Sequence, residues 1–389
     1  MALPSSQDMI AELIATPSIS SFDPRLDTSN RPVCERLATY LESAGARVEL
    51  QDVSGHAGKV NLLARFGAGP PGLALCGHTD TVPFDDARWQ HDPFGAQLVE
   101  EKLYGLGSSD MKGFLAICAS VLAQQNVAKL QRQVIVLGSA DEETGMFGAR
   151  ALLAQGTPLA PFCVVGEPTS LVPMRQHKGI FMEKIILQGR SGHSSDPTLG
   201  NNAIDAMHEV LGALKGWRGE MGERYANPDF AVPTPTLNFG RIEGGDNPNR
   251  ICARAELHID VRLMPGMTVA RSRAALRERV RRVAQASGVE VEFDVLFEGI
   301  DPLTTAADAA VVKHCEALSG HRAGCVNFGT EAPFFNELGS ESVVFGPGDI
   351  DLAHQPDEYL DLRQIKPTAD ALSALIEHFC RDTHSAEAR

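Results

Sequence analysis

The sequence predicts an α/β chain: a larger domain with a mixed sheet flanked by helices, and a smaller α+β domain inserted into it. Three observations predict this. Short apolar runs recur with helical patterns between them, polar residues gather where those runs end, and the middle of the chain changes to a different order of elements. At 389 residues the chain also exceeds the ~250–300 residues at which a single core usually stops growing.

The runs are Leu-Ala-Leu-Cys-Gly at 73–77, Val-Ile-Val-Leu-Gly at 134–138, Phe-Cys-Val-Val-Gly at 162–166 and Ser-Val-Val-Phe-Gly at 342–346. Continuous apolar stretches of this length fit strands buried on both faces of a sheet. Helical patterns cover 111–124 and 367–380. Each strand leads to a His or an acidic residue, and the carboxyl ends of strands in open α/β sheets are the usual crevice for ligands. From about Gly179 the order becomes strand (181–188), helix (201–217), strand (236–242), strand (252–262), helix (269–286) and strand (290–297). The stretch Glu-Leu-His-Ile-Asp-Val-Arg at 256–262 alternates polar and apolar residues, as a half-exposed strand does. Strand-helix-strand-strand-helix-strand is the ferredoxin-like order. The expected division is therefore 1–178 and 298–389 for the larger domain and 179–297 for the insertion, with a loose tail at 382–389.

Hydrophobic residues make up 43% and charged residues 22%, an ordinary globular balance. The net charge of -15 argues against nucleic acid, whose phosphates are bound through excess Lys and Arg, and suits a cationic small substrate. The eight cysteines are scattered, never in C-x-x-C pairs, which reads as reduced core cysteines rather than a disulfide framework or a structural zinc site. No basic leader opens the chain and no window approaches the ~18 apolar residues of a membrane helix. The expectation is a cytoplasmic protein that engages neither membrane nor nucleic acid.

Five motifs carry chemistry. Gly77-His78-Thr79-Asp80-Thr81 follows a strand, and Asp80 shares a face with His78 in extended chain, where a carboxylate can fix the tautomer of a metal-bound imidazole. Gly107-Ser-Ser-Asp110-Met-Lys-Gly113 enters a helix, which also allows Asp110 a plain capping role. Asp141-Glu142-Glu143 crowds three carboxylates at a strand end, costly unless cations neutralise them. Gly166-Glu167-Pro168-Thr169 and Ala353-His354-Gln355-Pro356-Asp357-Glu358 each follow a strand. Other templates fail: Ser109-Asp-Met-Lys112 lacks the companions of serine acyl-transfer enzymes, and His208-Glu209-Val210-Leu211-Gly212 lacks the second His of H-E-x-x-H. Together, two His and three carboxylates from separate strand ends form the mixed nitrogen and oxygen set that suits a pair of Zn2+-like ions.

These residues resemble the co-catalytic dizinc amidohydrolase and exopeptidase family, which includes aminoacylases and succinyl-diaminopimelate desuccinylase. The likeness runs from about Asp8 to Cys380. It includes His78-Thr-Asp-Thr-Val-Pro-Phe-Asp-Asp86, Leu106-Gly-Ser-Ser-Asp-Met-Lys-Gly-Phe114, Ser191-Gly-His-Ser-Ser-Asp-Pro197, Asn249-Arg-Ile-Cys-Ala253 and Thr330-Glu-Ala-Pro-Phe334. The resemblance implies a zinc-exopeptidase-like catalytic domain with an inserted lid and dimerisation domain. It implies hydrolysis of N-acetyl-L-ornithine to acetate and L-ornithine, a step of arginine biosynthesis; a desuccinylase or a broad N-acyl-amino-acid amidohydrolase would use the same dinuclear site. By position, His78 and Glu167 would bind one divalent ion and Glu143 and His354 the other, with Asp110 bridging; the ions would be Zn2+, or Co2+. Asp80 would orient His78 and Glu142 would be the general base. His193 would reach across a homodimer to the developing oxyanion, and Asn249 and Arg262 would grip the substrate carboxylate. Glu331 is a further acid that could receive a cationic substrate side chain.

Overall fold

A computed structural model describes residues 3–381; the tail expected to be loose at 382–389 lies outside the described residues. The chain divides into two compact units. One holds the residues up to Arg175 together with Thr305–Gly324 and those from Thr330 on; the other holds Gln176–Thr304 and Cys325–Gly329.

The first unit is built on a mixed sheet whose strands run in the order Arg47–Asp52, Val60–Phe66, Gln133–Ser139, Pro71–His78, Phe162–Val165 and Glu341–Val344. The last four pair in parallel, so their carboxyl ends share one edge, and the four apolar runs are these strands. Their side chains are almost wholly buried; fully burying a residue such as Leu75 or Val136 is worth about 1.5–3 kcal/mol relative to exposing it. The helix Gly113–Ala123 is apolar on nearly every side and buried accordingly, with Ser6–Ile14, Arg31–Ser43 and Ile365–Ile376 packed around it. It starts later than the helical pattern begins, because Asp110 and Met111 have non-helical backbones; the peptide bond between them is cis. A small sheet of Gln97–Val99, Lys102–Tyr104 and Tyr359–Asp361 pairs Tyr359 with Tyr104 and Leu360 with Leu103.

The second unit is a four-stranded antiparallel sheet in the order Thr236–Gly244, Arg254–Leu263, Gly179–Gln188 and Glu290–Ile300, the ferredoxin-like arrangement. Helices Ala203–Arg224 and Val269–Ala286 supply Val210, Leu214, Leu276 and Val280 to a core shared with Phe181, Ile185, Leu257 and Val261. Asn202 and Thr268 cap the two helices through their side-chain oxygens. The first helix runs past the expected end at 217 because its apolar stripe continues through Trp217 to Met221. Inside this unit Glu183, fully buried in the sheet, accepts from Arg273 Nε at 2.8 Å and Arg277 Nε at 2.5 Å.

All eight cysteines are free. Among the described residues no helix is long and apolar enough to cross a membrane.

Candidate metal centre

The parallel strands of the first unit deliver the site. His78 ends the strand Pro71–His78 and is buried. Its Nδ1 lies 3.0 Å from the main-chain oxygen of Asp80, whereas the Asp80 carboxylate stands 3.7 Å away. A neutral His78 therefore donates through Nδ1 to a carbonyl and keeps a lone pair on Nε2, the tautomer that a metal ligand requires. The Asp80 carboxylate stays close enough to act on the His78 charge while accepting the backbone N–H of Glu142 at 3.2 Å and of Glu143 at 3.1 Å. One buried carboxylate thus holds the backbone of two neighbouring candidate residues. The turn after His78 is itself gripped, since Thr79 Oγ1 donates to Ser139 O and accepts from Asn30, while Ser18 Oγ donates to Thr79 O at 2.6 Å.

The three carboxylates at 141–143 separate. Asp141 turns inward through a left-handed backbone, φ 55°, and forms a buried ion pair with Lys59 at 2.7 Å and a hydrogen bond with Ser20 at 2.9 Å. Glu143 faces His354, with Nε2 3.0 Å from Oε2. Glu142 sits beside Glu167, and burial followed by that neighbour pushes its carboxyl well above the ordinary range.

Asp110 lies between the two imidazoles. Its Oδ1 is 3.0 Å from His78 Nε2 and its Oδ2 is 3.5 Å from His354 Nε2, so it is neither a helix cap nor a solvated first-turn acid. Glu167 Oε2 is 4.0 Å from His78 Nε2. Glu167 follows the strand Phe162–Val165 at a glycine required by close packing: a Cβ on Gly166 would stand 2.2 Å from the Phe114 ring. Ligand atoms of His78, Asp110 and Glu143 all lie within 4.8 Å of one another.

The electrostatics fit the donor set. Burial opposes charge on His78, yet Asp110, Glu167 and Asp80 together carry its pKa well above the usual range. Asp110 and Glu143 raise His354 to about 10. Burial, then Asp110, lifts Glu167. The carboxylates thus favour positive charge at both imidazoles. Two divalent ions between the same side chains would supply that charge more fully, with neutral imidazoles offering their lone pairs to them.

The other expected residues fall as follows. Glu331 is 2% exposed, with Oε2 accepting from Ser139 Oγ at 2.5 Å, and burial pushes it up to about 7. Through Oε2 it braces the end of the strand Gln133–Ser139. His193, Asn249 and Arg262 belong to the second unit. His193 is exposed, and its Nδ1 accepts from Ser195 N at 3.2 Å and Ser195 Oγ at 2.8 Å, which assigns the ring proton to Nε2. Asn249 O accepts from Ser194 N. Arg262 spends much of its fork on Asp260, at 2.9 and 3.2 Å. Sequence reasoning missed Lys59, Asn30, Ser18 and Glu358, the supports of this site. Only Glu358 left a signal, an acidic residue four positions after His354.

Comparison with known proteins agrees with this geometry. A model of peptidase family M20/M25/M40 matches residues 74–378. Acetylornithine deacetylase of Photorhabdus laumondii is 46% identical over 378 residues, covering 97% of this chain and 98% of the relative. Among solved structures, an M20 family metallo-carboxypeptidase of Sulfolobus solfataricus has a TM-score of 0.74 at 16% identity, covering 97% of this chain and 99% of that one. A dinuclear metal-binding M20 peptidase of Bacillus subtilis has a TM-score of 0.64 at 16% identity, covering 95% and 96%. The matched family model begins in the strand that carries His78 and ends beyond His354, and the relative aligns over almost its whole length: the chain belongs to peptidase family M20/M25/M40.

Proposed function

We propose that the protein hydrolyses the acetyl amide of N-acetyl-L-ornithine to acetate and L-ornithine, using two divalent ions, Zn2+ or Co2+. His78 and Glu167 would hold one ion and Glu143 and His354 the other, with Asp110 shared between them. The observation that carries this reading is the position of Asp110 between two imidazoles, with one oxygen toward each. The substrate rests on the identity to the relative named acetylornithine deacetylase.

Bound ions supply Lewis acidity that polarises the acyl carbonyl and lowers the pKa of water. Glu142 takes the proton of the attacking water and hands it to the leaving amine, and Asp80 keeps it in reach by anchoring its backbone. His193 donates Nε2–H to the developing oxyanion. Arg262 and Asn249 bind the substrate carboxylate, Arg262 through the nitrogen that Asp260 leaves open. The second unit acts as a lid through which the chains form a homodimer, and the protein works in arginine biosynthesis in the cytoplasm.

A panel of N-acyl amino acids tests the substrate. N-acetyl-L-ornithine should exceed N-succinyl-L,L-diaminopimelate in kcat/KM by at least ~10-fold, the scale on which a pocket separates substrates of different size and charge. The reverse order would make the protein a desuccinylase with the same chemistry, and turnover of other N-acyl amino acids in place of both would make it a broader amidohydrolase.

A further inference from the structure

Glu358 lies outside the proposed ligand set, yet it is 1% exposed and its carboxylate is fully used. Oε1 accepts the backbone N–H of Ser109 at 2.8 Å and of Asp110 at 3.0 Å, and Oε2 accepts that of Gly107 at 3.0 Å. These donors belong to a turn that no helix can satisfy. Asp110 has φ -120° and ψ 88°, and the regular helix begins only at Gly113. A buried backbone N–H without a partner is costly, and a carboxylate facing several such groups is the strong, charge-assisted solution.

The carboxylate is delivered by strand pairing. Tyr359–Asp361 runs antiparallel to Lys102–Tyr104. Gly105 N donates to Glu358 O at 2.9 Å, and Ser109 Oγ to Tyr359 O at 2.9 Å. The segment 358–361 is therefore stitched along its length to 102–110, and His354 is carried four residues upstream on the same segment. Asp110 and His354, 244 positions apart in sequence (354 − 110), are thereby linked through the segment that begins at Glu358.

We propose that Glu358 is the positioning residue that fixes Asp110 and joins the two halves of the metal centre. This rests on the two-ion reading above. Losing Glu358 removes the hold on the bridging carboxylate and loosens the tether of His354, so the ion held by Glu143 and His354 loses two supports. The ion held by His78 and Glu167 loses one. The prediction is unequal weakening, with Glu358 never touching an ion.

The test is titration of metal-free protein with Zn2+ against a chromophoric chelator, on wild type and Glu358→Gln, with circular dichroism confirming the fold. Wild type should take up two ions tightly. The variant should keep one within about 3-fold of wild type and bind the other ~10–100-fold more weakly, the usual cost of losing a group that orients a ligand. In the Co2+-loaded protein, magnetic coupling between the ions should fall in parallel. Glu358→Asp, which keeps the charge but withdraws it by one methylene, should lie between. Two ions bound as in wild type by a folded Glu358→Gln, or equal weakening of both, would overturn the proposal. So would failure of both variants to fold, which would assign Glu358 to stability alone. A wild type that binds fewer than two ions would instead defeat the two-ion reading, a result visible before any variant is made.

Discussion

A carboxylate buried without counter-charge is expensive, and the loop at 141–143 carries three in succession. Each finds a different answer. Asp141 takes the Lys59 ammonium, Glu143 takes His354, and Glu142 is left beside Glu167. If Glu142 is the proton carrier and not a ligand, Glu142→Gln should bind metal as wild type does and lose about 10²–10⁴-fold in kcat. Loss of an ion with little loss of rate per bound metal would exchange its role with that of Glu143. Lys59 has a structural task. Lys59→Met leaves Asp141 buried and uncompensated, so urea unfolding should show a loss of about 3 kcal/mol; a loss below ~1 kcal/mol would mean that Asp141 finds another partner. The motifs around His78, Asp110, Glu143, Glu167 and His354 were legible because ligand chemistry demands particular residue types. Lys59 was not, since nothing in the local sequence says which lysine will be buried against an acid 82 positions away (141 − 59).

At the scale of elements, the strands that hold the site were the most legible, being short runs buried on both faces. Val60–Phe66 escaped because Asn61 and Arg65 break its apolar run. Asn61 is nevertheless buried, with its amide donating to Gly148 O and its carbonyl oxygen accepting from Ala140 N. The small sheet that delivers Glu358 escaped too, since its strands have three residues each and only long-range pairing makes them strands. The start of Gly113–Ala123 differed for a related reason: local pattern favours helix from 111, and the hydrogen bonds that Ser109 and Asp110 donate to distant Glu358 hold the chain out of it. In the second unit, Glu183 and its two arginines form one buried cluster between strand and helix. Glu183→Ala would strip both guanidinium groups of the buried carboxylate they share, leaving Arg273 its bonds to Phe297 O and Glu298 O, and the unit should lose about 3 kcal/mol of unfolding free energy. An unchanged denaturation midpoint would show that the arginines simply turn to solvent.

At the scale of the whole molecule, the proposed mechanism draws on both units. His193 has its ring proton on Nε2 and its other nitrogen occupied by Ser195, as an oxyanion donor requires. His193→Ala should therefore keep both ions and its fold and lose roughly 10²–10³-fold in kcat, with a smaller change in KM. If the donor comes from the partner chain, mixing this variant with Glu142→Gln should restore activity, because one site of a mixed dimer has both groups. No restoration after proven subunit exchange would confine His193 to its own chain. The central claim is that a cluster of two His and three carboxylates works as a two-ion centre for amide hydrolysis. The most direct measurement is the rate of N-acetyl-L-ornithine hydrolysis while Zn2+ is added back to chelated protein. Activity should be near zero without metal and should saturate at about two ions per chain. Full turnover by the metal-free protein would contradict it.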